Sequence, residues 1–133
     1  MTEQFKRNRK AIIENQFFGD GYYNFSLKIG QLQTLQEKTG LGAFALLNKF
    51  YNQEWFVSEL KETIRLGLIG GGNQPKLAYD LTEEYVIEGY LLDHVPLAIG
   101  IIQVALSGVE DEPIDDDQEE PELDDESEDS KKN

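Results

Sequence analysis

Three consecutive glycines, Gly70, Gly71 and Gly72, are the feature that most constrains how this chain can fold. They directly follow residues 64–69, whose apolar side chains recur at helical spacing. A glycine run of this kind either cradles a phosphate group or ends a helix. A phosphate loop needs a strand before the glycines and a Lys-Ser or Lys-Thr pair after them, whereas Lys76 is the nearest lysine and follows a proline. We therefore predict that the glycines end one helix and form a hinge to the next.

The acidic charge of the chain is concentrated at its C-terminus. The 133 residues include 26 acidic and 12 basic side chains, a formal net charge of -14, and residues 110–133 contain 14 of the acidic and two of the basic ones. A segment with so much like charge and so few apolar residues cannot bury enough surface to fold. We predict a flexible N-terminal arm at 1–9, one folded domain at 10–108 and a disordered acidic tail at 109–133.

Composition also excludes several classes of protein. The chain contains no cysteine, which rules out disulfides, thiolate catalysis and cysteine-ligated metals. The N-terminus lacks the apolar core of a signal peptide, and the longest apolar run, at 95–106, is too short to span a bilayer. A nearly neutral body with an acidic tail disfavours binding to nucleic acid. We expect a cytoplasmic protein that binds neither membranes nor nucleic acid.

The order of predicted elements indicates a mainly α fold with an N-terminal β-hairpin, an α+β protein built as one small helical bundle. The hairpin strands are predicted at 11–18 and 22–27, with Gly19, Asp20 and Gly21 forming the loop. Five helices are predicted at 29–38, 43–51, 55–68, 75–89 and 93–108.

Apolar spacing also predicts which side chains face the core. The predicted core residues are Ile29, Leu32 and Leu35 in the first helix, Phe44, Leu47 and Phe50 or Tyr51 in the second, Phe56, Val57, Leu60, Ile64 and Leu68 in the third, and Leu77, Leu81 and Tyr85 in the fourth. Glu59, Lys61, Glu62 and Arg65 are predicted to face water. Asp93 is the expected N-cap of the fifth helix, which is apolar nearly all round and is therefore either central or covered by a partner.

Side chains that could carry chemistry are few. His94 is the only histidine and has no second histidine or evident nucleophile to work with, so we expect it to start a helix. Glu83 and Glu84 are consecutive, and consecutive helical side chains point in different directions. We expect no catalytic residue, no cofactor and no metal site, and therefore a protein that is not an enzyme.

Three ordered motifs carry a resemblance to a known family. Residues 27–40 open with Leu-Lys-Ile-Gly-Gln-Leu-Gln-Thr-Leu, residues 64–72 read Ile-Arg-Leu-Gly-Leu-Ile-Gly-Gly-Gly, and Pro96-Leu97 begins an apolar helix that stops at Gly108. In this order and spacing the chain resembles the small tail assembly chaperones of long-tailed phages, in the branch that includes gene transfer agents. One position departs from the pattern, because Gln36 stands where a glutamate is often found. The motif positions are Gly30, Leu32, Leu35, Gly40, Gly67, Leu68, Gly70, Gly71, Gly72, Pro96 and Leu97.

The resemblance implies a non-enzymatic chaperone that binds the long, largely helical tape measure protein and keeps it soluble. It also implies help in recruiting tail tube subunits, in the cytoplasm of the bacterial host, with self-association left open. The alternative is an acidic adaptor or DNA-mimic regulator, in which the carboxylates of residues 110–133 occupy a basic protein partner.

Overall fold

A computed structural model describes residues 9–110 of the chain. Lys10–Val109 form one compact unit. Arg9 and Glu110, the described residues at the two ends, belong to a second unit. The remainder of the predicted N-terminal arm and the acidic tail from residue 111 lie outside the described residues.

The described chain contains a hairpin followed by helices. The elements are β1 (Arg9–Lys10), β2 (Ile13–Phe18), β3 (Gly21–Phe25), α1 (Ile29–Thr39), α2 (Ala43–Tyr51), α3 (Val57–Gly70), α4 (Pro75–Thr82), a π-helical turn (Glu83–Ile87), a 3₁₀ turn (Leu91–His94), α5 (Val95–Ser107) and β4 (Val109–Glu110). Strands β2 and β3 pair antiparallel, and β1 pairs with β4 in a separate two-stranded sheet. The predicted fold class, mainly α with an N-terminal β-hairpin, is confirmed.

The hairpin loop depends on a glycine, as predicted. Gly19 has φ +66°, a left-handed conformation that favours glycine, and the Asp20 carboxylate accepts a hydrogen bond from the Tyr23 hydroxyl at 2.6 Å. Further along β2 the register shifts at a bulge. There Asn15 has φ +54°, and its N–H donates to Asn24 Oδ1 at 2.9 Å. The loop and the bulge together determine how the two strands align.

Helix α3 lies at the centre of the domain. It packs against α1, α4, α5 and β3, and its residues Leu60, Ile64 and Leu68 are fully buried. At Gly67 the helix comes so close to α5 that an added Cβ would lie 3.1 Å from Ile101 Cδ1. This close approach explains the glycine, because the packing of α3 against α5 offsets the helix-propensity cost of about 1 kcal/mol that glycine carries relative to alanine.

The glycine run ends α3 against the backbone that leaves the hairpin. A Cβ added to Gly70 would overlap the carbonyl oxygen of Ser26, and one added to Gly71 would overlap the carbonyl oxygen of Asn24. The Ser26 N–H also donates to the carbonyl oxygen of Gly67 at 2.9 Å. The glycines therefore end the helix where two backbones touch, and side chains would separate them.

Several side chains that the spacing placed in the core are instead exposed, so those predictions were wrong. Phe44 is 67% exposed, because α2 turns Ala43, Leu46, Leu47 and Phe50 inward and Phe44 lies a quarter-turn away. Phe56 is 66% exposed because it precedes the first turn of α3 in extended backbone and does not follow the helical period. The remaining exposed members of the predicted core are Ile29, Val57 and Leu77. The prediction that Phe50 or Tyr51 faces the core is confirmed by Phe50, which is 1% exposed.

Glu59 was predicted to face water, and this was also wrong. The residue is 3% exposed. Its Oε1 accepts the backbone N–H of Phe56 at 2.7 Å, and its Oε2 lies 2.8 Å from Lys49 Nζ. The carboxylate thus satisfies a free N–H at the start of α3 and ties that helix to α2.

The start of α5 also differs from the prediction. Asp93 makes no side-chain cap there, because the 3₁₀ turn Leu91–His94 leads directly into the helix and His94 occupies the N-cap position. Pro96 lies in the first turn, as predicted, and Gly108 follows the last residue of the helix.

Substitution of Gly70 or Gly71 by alanine is expected to lower the free energy of unfolding by about 3 kcal/mol or more, because the new Cβ must push two backbones apart. Gly30→Ala in α1 is the matched control, since a Cβ there meets nothing within 4 Å. Urea denaturation of the three variants would check this. A small loss for Gly70→Ala would show that the two backbones are not held in this contact.

Glu59→Ala is expected to cost about 3 kcal/mol, because it removes a helix cap and leaves the Lys49 ammonium without its carboxylate. Glu59→Gln retains an acceptor for the Phe56 N–H, so about half of that loss is expected. Glu84→Ala, at an exposed site, is the control and should change stability by about 0.5 kcal/mol or less. Thermal and urea unfolding would measure the loss of stability in each of the three variants. Equal losses in all three would contradict the role assigned to Glu59.

Candidate functional site

The three sequence motifs meet around the end of α3. From the first motif, Lys28 Nζ donates to the carbonyl oxygen of Gly70 at 2.9 Å, and Gln31 Oε1 lies 3.1 Å from where a Gly70 Cβ would be. From the third motif, Ile101 packs against Gly67. This junction holds the hairpin, α1 and α5 on α3, so its role is structural.

The other predicted motif positions are distributed along these elements. Leu35 and Leu68 are buried, Leu32 is half-buried against the core, and Gly40 ends α1 with φ +75°. Gly72 has φ +110° in the turn after α3. Pro96 and Leu97 are not at the junction and instead line a groove at the start of α5.

That groove lies between β2 and the first half of α5 and has a volume of about 450 Å³. It is predominantly apolar, with Asp93 as its one carboxylate. The lining residues are Ile13, Gln16, Phe17, Phe18, Gly19, Asp93, His94, Pro96, Leu97 and Gly100. Its size falls within the range of small-ligand and side-chain pockets in proteins.

The wall that β2 contributes follows from the alternation of side chains along a strand. Phe18 points into the core and packs edge-to-face on His94, with ring centroids 5.6 Å apart. Phe17 points outward, is 56% exposed and packs edge-to-face on Tyr22 across the hairpin at 5.5 Å. One aromatic residue therefore anchors the strand, and its neighbour presents a large apolar ring at the groove.

Two tyrosines near the hairpin loop have shifted pKa values. The hydrogen bond to Asp20 raises the pKa of Tyr23, and desolvation followed by the charge of Asp20 raises the pKa of Tyr85. Both shifts move the phenols further from ionisation at neutral pH, so neither residue is prepared to act as a base.

Other polar groups that the sequence singled out make structural contacts. Glu83 pairs with Lys61 at 3.1 Å and so links the π-helical turn to α3, while Glu84 faces water. Among residues 9–110, no three His, Asp or Glu side chains lie close enough to hold a metal ion. Within the same range no helix is long and apolar enough to cross a membrane.

Large apolar side chains are exposed on other faces as well. Tyr51 of α2 is half-exposed, and its hydroxyl donates to Gln103 Oε1 of α5 at 3.2 Å. The remaining exposed residues outside the groove are Tyr22, Ile29, Phe44, Phe56, Val57, Leu77, Tyr79, Tyr90, Leu92, Leu106 and Val109. Single exposed residues are ordinary, whereas the groove is concave and continuous.

Sequence reasoning identified Pro96 and Leu97 but missed the groove itself. Two signals for it were present in the sequence. Phe17 and Phe18 are adjacent in a strand, so one of the two rings had to point away from the core. Gly100 interrupts an apolar helix, which suggested a position where space is needed.

Comparison with known proteins gives one family. The family model described as "Phage tail tube protein, GTA-gp10" matches residues 14–108, which include all three motifs and every groove residue except Ile13. The match ends before the acidic C-terminal segment. Comparison with curated proteins and with solved structures finds no match.

Phe17 and Phe18 provide a matched test of the groove wall. Phe17→Ser is expected to cost about 1 kcal/mol or less, because the ring is largely exposed and loses mainly its cross-strand contact. Phe18→Ser is expected to cost about 3 kcal/mol or more, because it removes a buried ring. Urea denaturation measures both losses, and similar values would contradict the assignment of Phe17 to the groove and Phe18 to the core.

Proposed function

The chain belongs to the family described as phage tail tube protein, GTA-gp10, and we propose that it acts in tail assembly as a chaperone that binds the tape measure protein and keeps it soluble. Membership of this family assigns the chain to phage or gene transfer agent tails. The chaperone role is supported by the resemblance of the three motifs to tail assembly chaperones and by the surface of the domain.

The observation that carries this proposal is the apolar groove beside β2. The domain has a well-packed core, with Phe25, Leu60 and Ile102 fully buried, so its exposed apolar surface is not a sign of incomplete folding. A folded domain that leaves a concave apolar surface uncovered is suited to binding another protein. A long helical protein that aggregates by itself presents the complementary apolar surface.

Charge supports the same role. The net charge of -14 lies almost entirely in residues 110–133. Such a charge, carried by each bound copy, would oppose the association of chaperone–partner complexes with one another. We propose that the protein works by binding alone, without catalysis, in the bacterial cytoplasm before the particle is complete, and that tail tube subunits are further partners.

A second candidate is a structural subunit of the tail tube, which the description of the matching family favours. Tube subunits must contact identical copies through head-to-tail surfaces that repeat along the tube. The charge of -14 on every copy opposes such stacking unless a partner neutralises it. Electron microscopy of the concentrated chain distinguishes the two roles, because a tube subunit forms rings or tubes and a chaperone does not.

The chaperone role predicts the outcome of co-expression with the tape measure protein encoded in the same gene cluster. The tape measure protein is expected to be insoluble alone and soluble with this chain, and the two should co-purify. An unrelated acidic protein of similar size is the control. A tape measure protein that is soluble alone and captures nothing would contradict the proposal.

Removal of residues 110–133 separates the chaperone from an acidic adaptor or DNA mimic. A truncated chain of residues 1–109 should retain most of its capture, because the groove is unchanged, although the complex should be less soluble. Loss of all capture on truncation would favour the adaptor, whose binding depends on the carboxylates.

A further inference from the structure

The floor of the groove contains a glycine that contacts within the chain do not explain. Gly100 lies in the middle of α5, where glycine is unfavourable relative to alanine. A Cβ added there would have one neighbour within 4 Å outside the helix backbone, Ile13 Cδ1 at 3.6 Å, which is an ordinary contact. By contrast, a Cβ added to Gly67 would lie only 3.1–3.4 Å from atoms of Ile101 and Phe25. Gly67 makes room for this chain's own atoms, whereas Gly100 leaves room for atoms from outside it.

From this difference we propose that the groove receives an amphipathic helix of the partner, whose apolar face packs over Gly100 and whose Lys or Arg side chain pairs with Asp93. The inference rests on the proposed function, in which that helix belongs to the tape measure protein, and it assigns the docking face. A glycine on a helix lets a second backbone approach closely, and Leu97 and Phe17 border the space with apolar surface.

The edge of β2 is poorly suited to the other common mode, in which a partner adds a strand. The bulge at Asn15 breaks the regular edge, and its N–H is already bonded to the Asn24 side chain. Further along, Gln16 Nε2 donates to the carbonyl oxygen of Phe17 at 3.1 Å. An interrupted and partly satisfied edge disfavours strand addition, so side-chain packing of a helix is the better fit.

Charge distinguishes a basic partner from a second copy of this chain. Asp93 lines the groove and is exposed, and no described salt bridge uses it. A neighbouring copy carries the same net charge of -14, so overall charge repulsion opposes self-association. A helix with a lysine or arginine beside its apolar face is complementary to both the groove and its rim.

Full-length variants captured with the co-expressed tape measure protein test the docking face. Gly100→Leu places a side chain in the groove. It is expected to lower the amount of tape measure protein captured by about tenfold or more, because the groove loses room for one partner side chain. Ala45→Leu is the control, because it adds apolar volume at an exposed position of α2 that does not line the groove. The Tm of both variants should stay within about 5 °C of the wild-type value.

Asp93→Lys provides a second, independent variant at an exposed position. It is expected to lower capture by about fivefold at low ionic strength and less at high salt, whereas Glu84→Lys on the exposed side of the π-helical turn should have little effect. A photo-crosslinking amino acid in place of Leu97 should attach to the tape measure protein, and one in place of Leu77 should not.

The outcomes separate this inference from the proposed function. If the wild-type chain captures the tape measure protein while Gly100→Leu and Asp93→Lys capture it equally well, the docking face is wrong and the chaperone role stands. Crosslinks from Leu97 to a second copy of this chain would replace the inference with self-association. If the wild-type chain captures nothing, both proposals are overturned.

Discussion

The contact between the last turn of α3 and the backbone leaving β3 is the interaction on which the rest of the structure depends. A two-stranded hairpin is marginal in water by itself, so β2 and β3 need a surface to pack on. Gly70 and Gly71 let that backbone lie directly on the helix, and the Ser26 N–H completes the contact by donating to the Gly67 carbonyl. Phe25 of β3 and Ile101 of α5 both border Gly67, and β2 and α5 form the walls of the groove, so this contact also helps to hold those two walls together.

Packing, rather than helical spacing alone, decided which faces of the helices are buried. In α2 the spacing permitted Phe44 to face the core, but the position of α5 selected the face with Leu46 and Phe50. At the start of α3, burial of Glu59 is tolerated because both carboxylate oxygens have partners, one a backbone N–H and the other Lys49. Burying a carboxylate without such partners would cost far more free energy than the helix cap contributes.

The two interior glycines of the apolar helices illustrate how a fold supports binding. The space beside Gly67 is filled by Ile101 and Phe25 of the same chain, so this glycine contributes to the stability of the domain. The space beside Gly100 is left open by this chain, so a partner can approach there. This access accounts for a glycine in a helix, where it is otherwise unfavourable. The space at Gly100 was not predicted from the sequence. Both positions look alike as glycine within an apolar helix, and only the neighbouring elements distinguish them.

The sequence by itself determined the order of the elements and the hairpin loop at Gly19. It also determined that helices end at Gly40, at the glycine run and at Gly108. These features depend on local backbone conformation and on short-range periodicity. The sequence also determined the segregation of acidic charge into residues 110–133. Tertiary structure alone decided that three separate motifs meet at α3, that Glu59 is buried, and that Phe17, Asp93 and Gly100 border one groove. These features bring together residues that are distant in the chain, and their spacing along the sequence contains no information about the distances between packed elements.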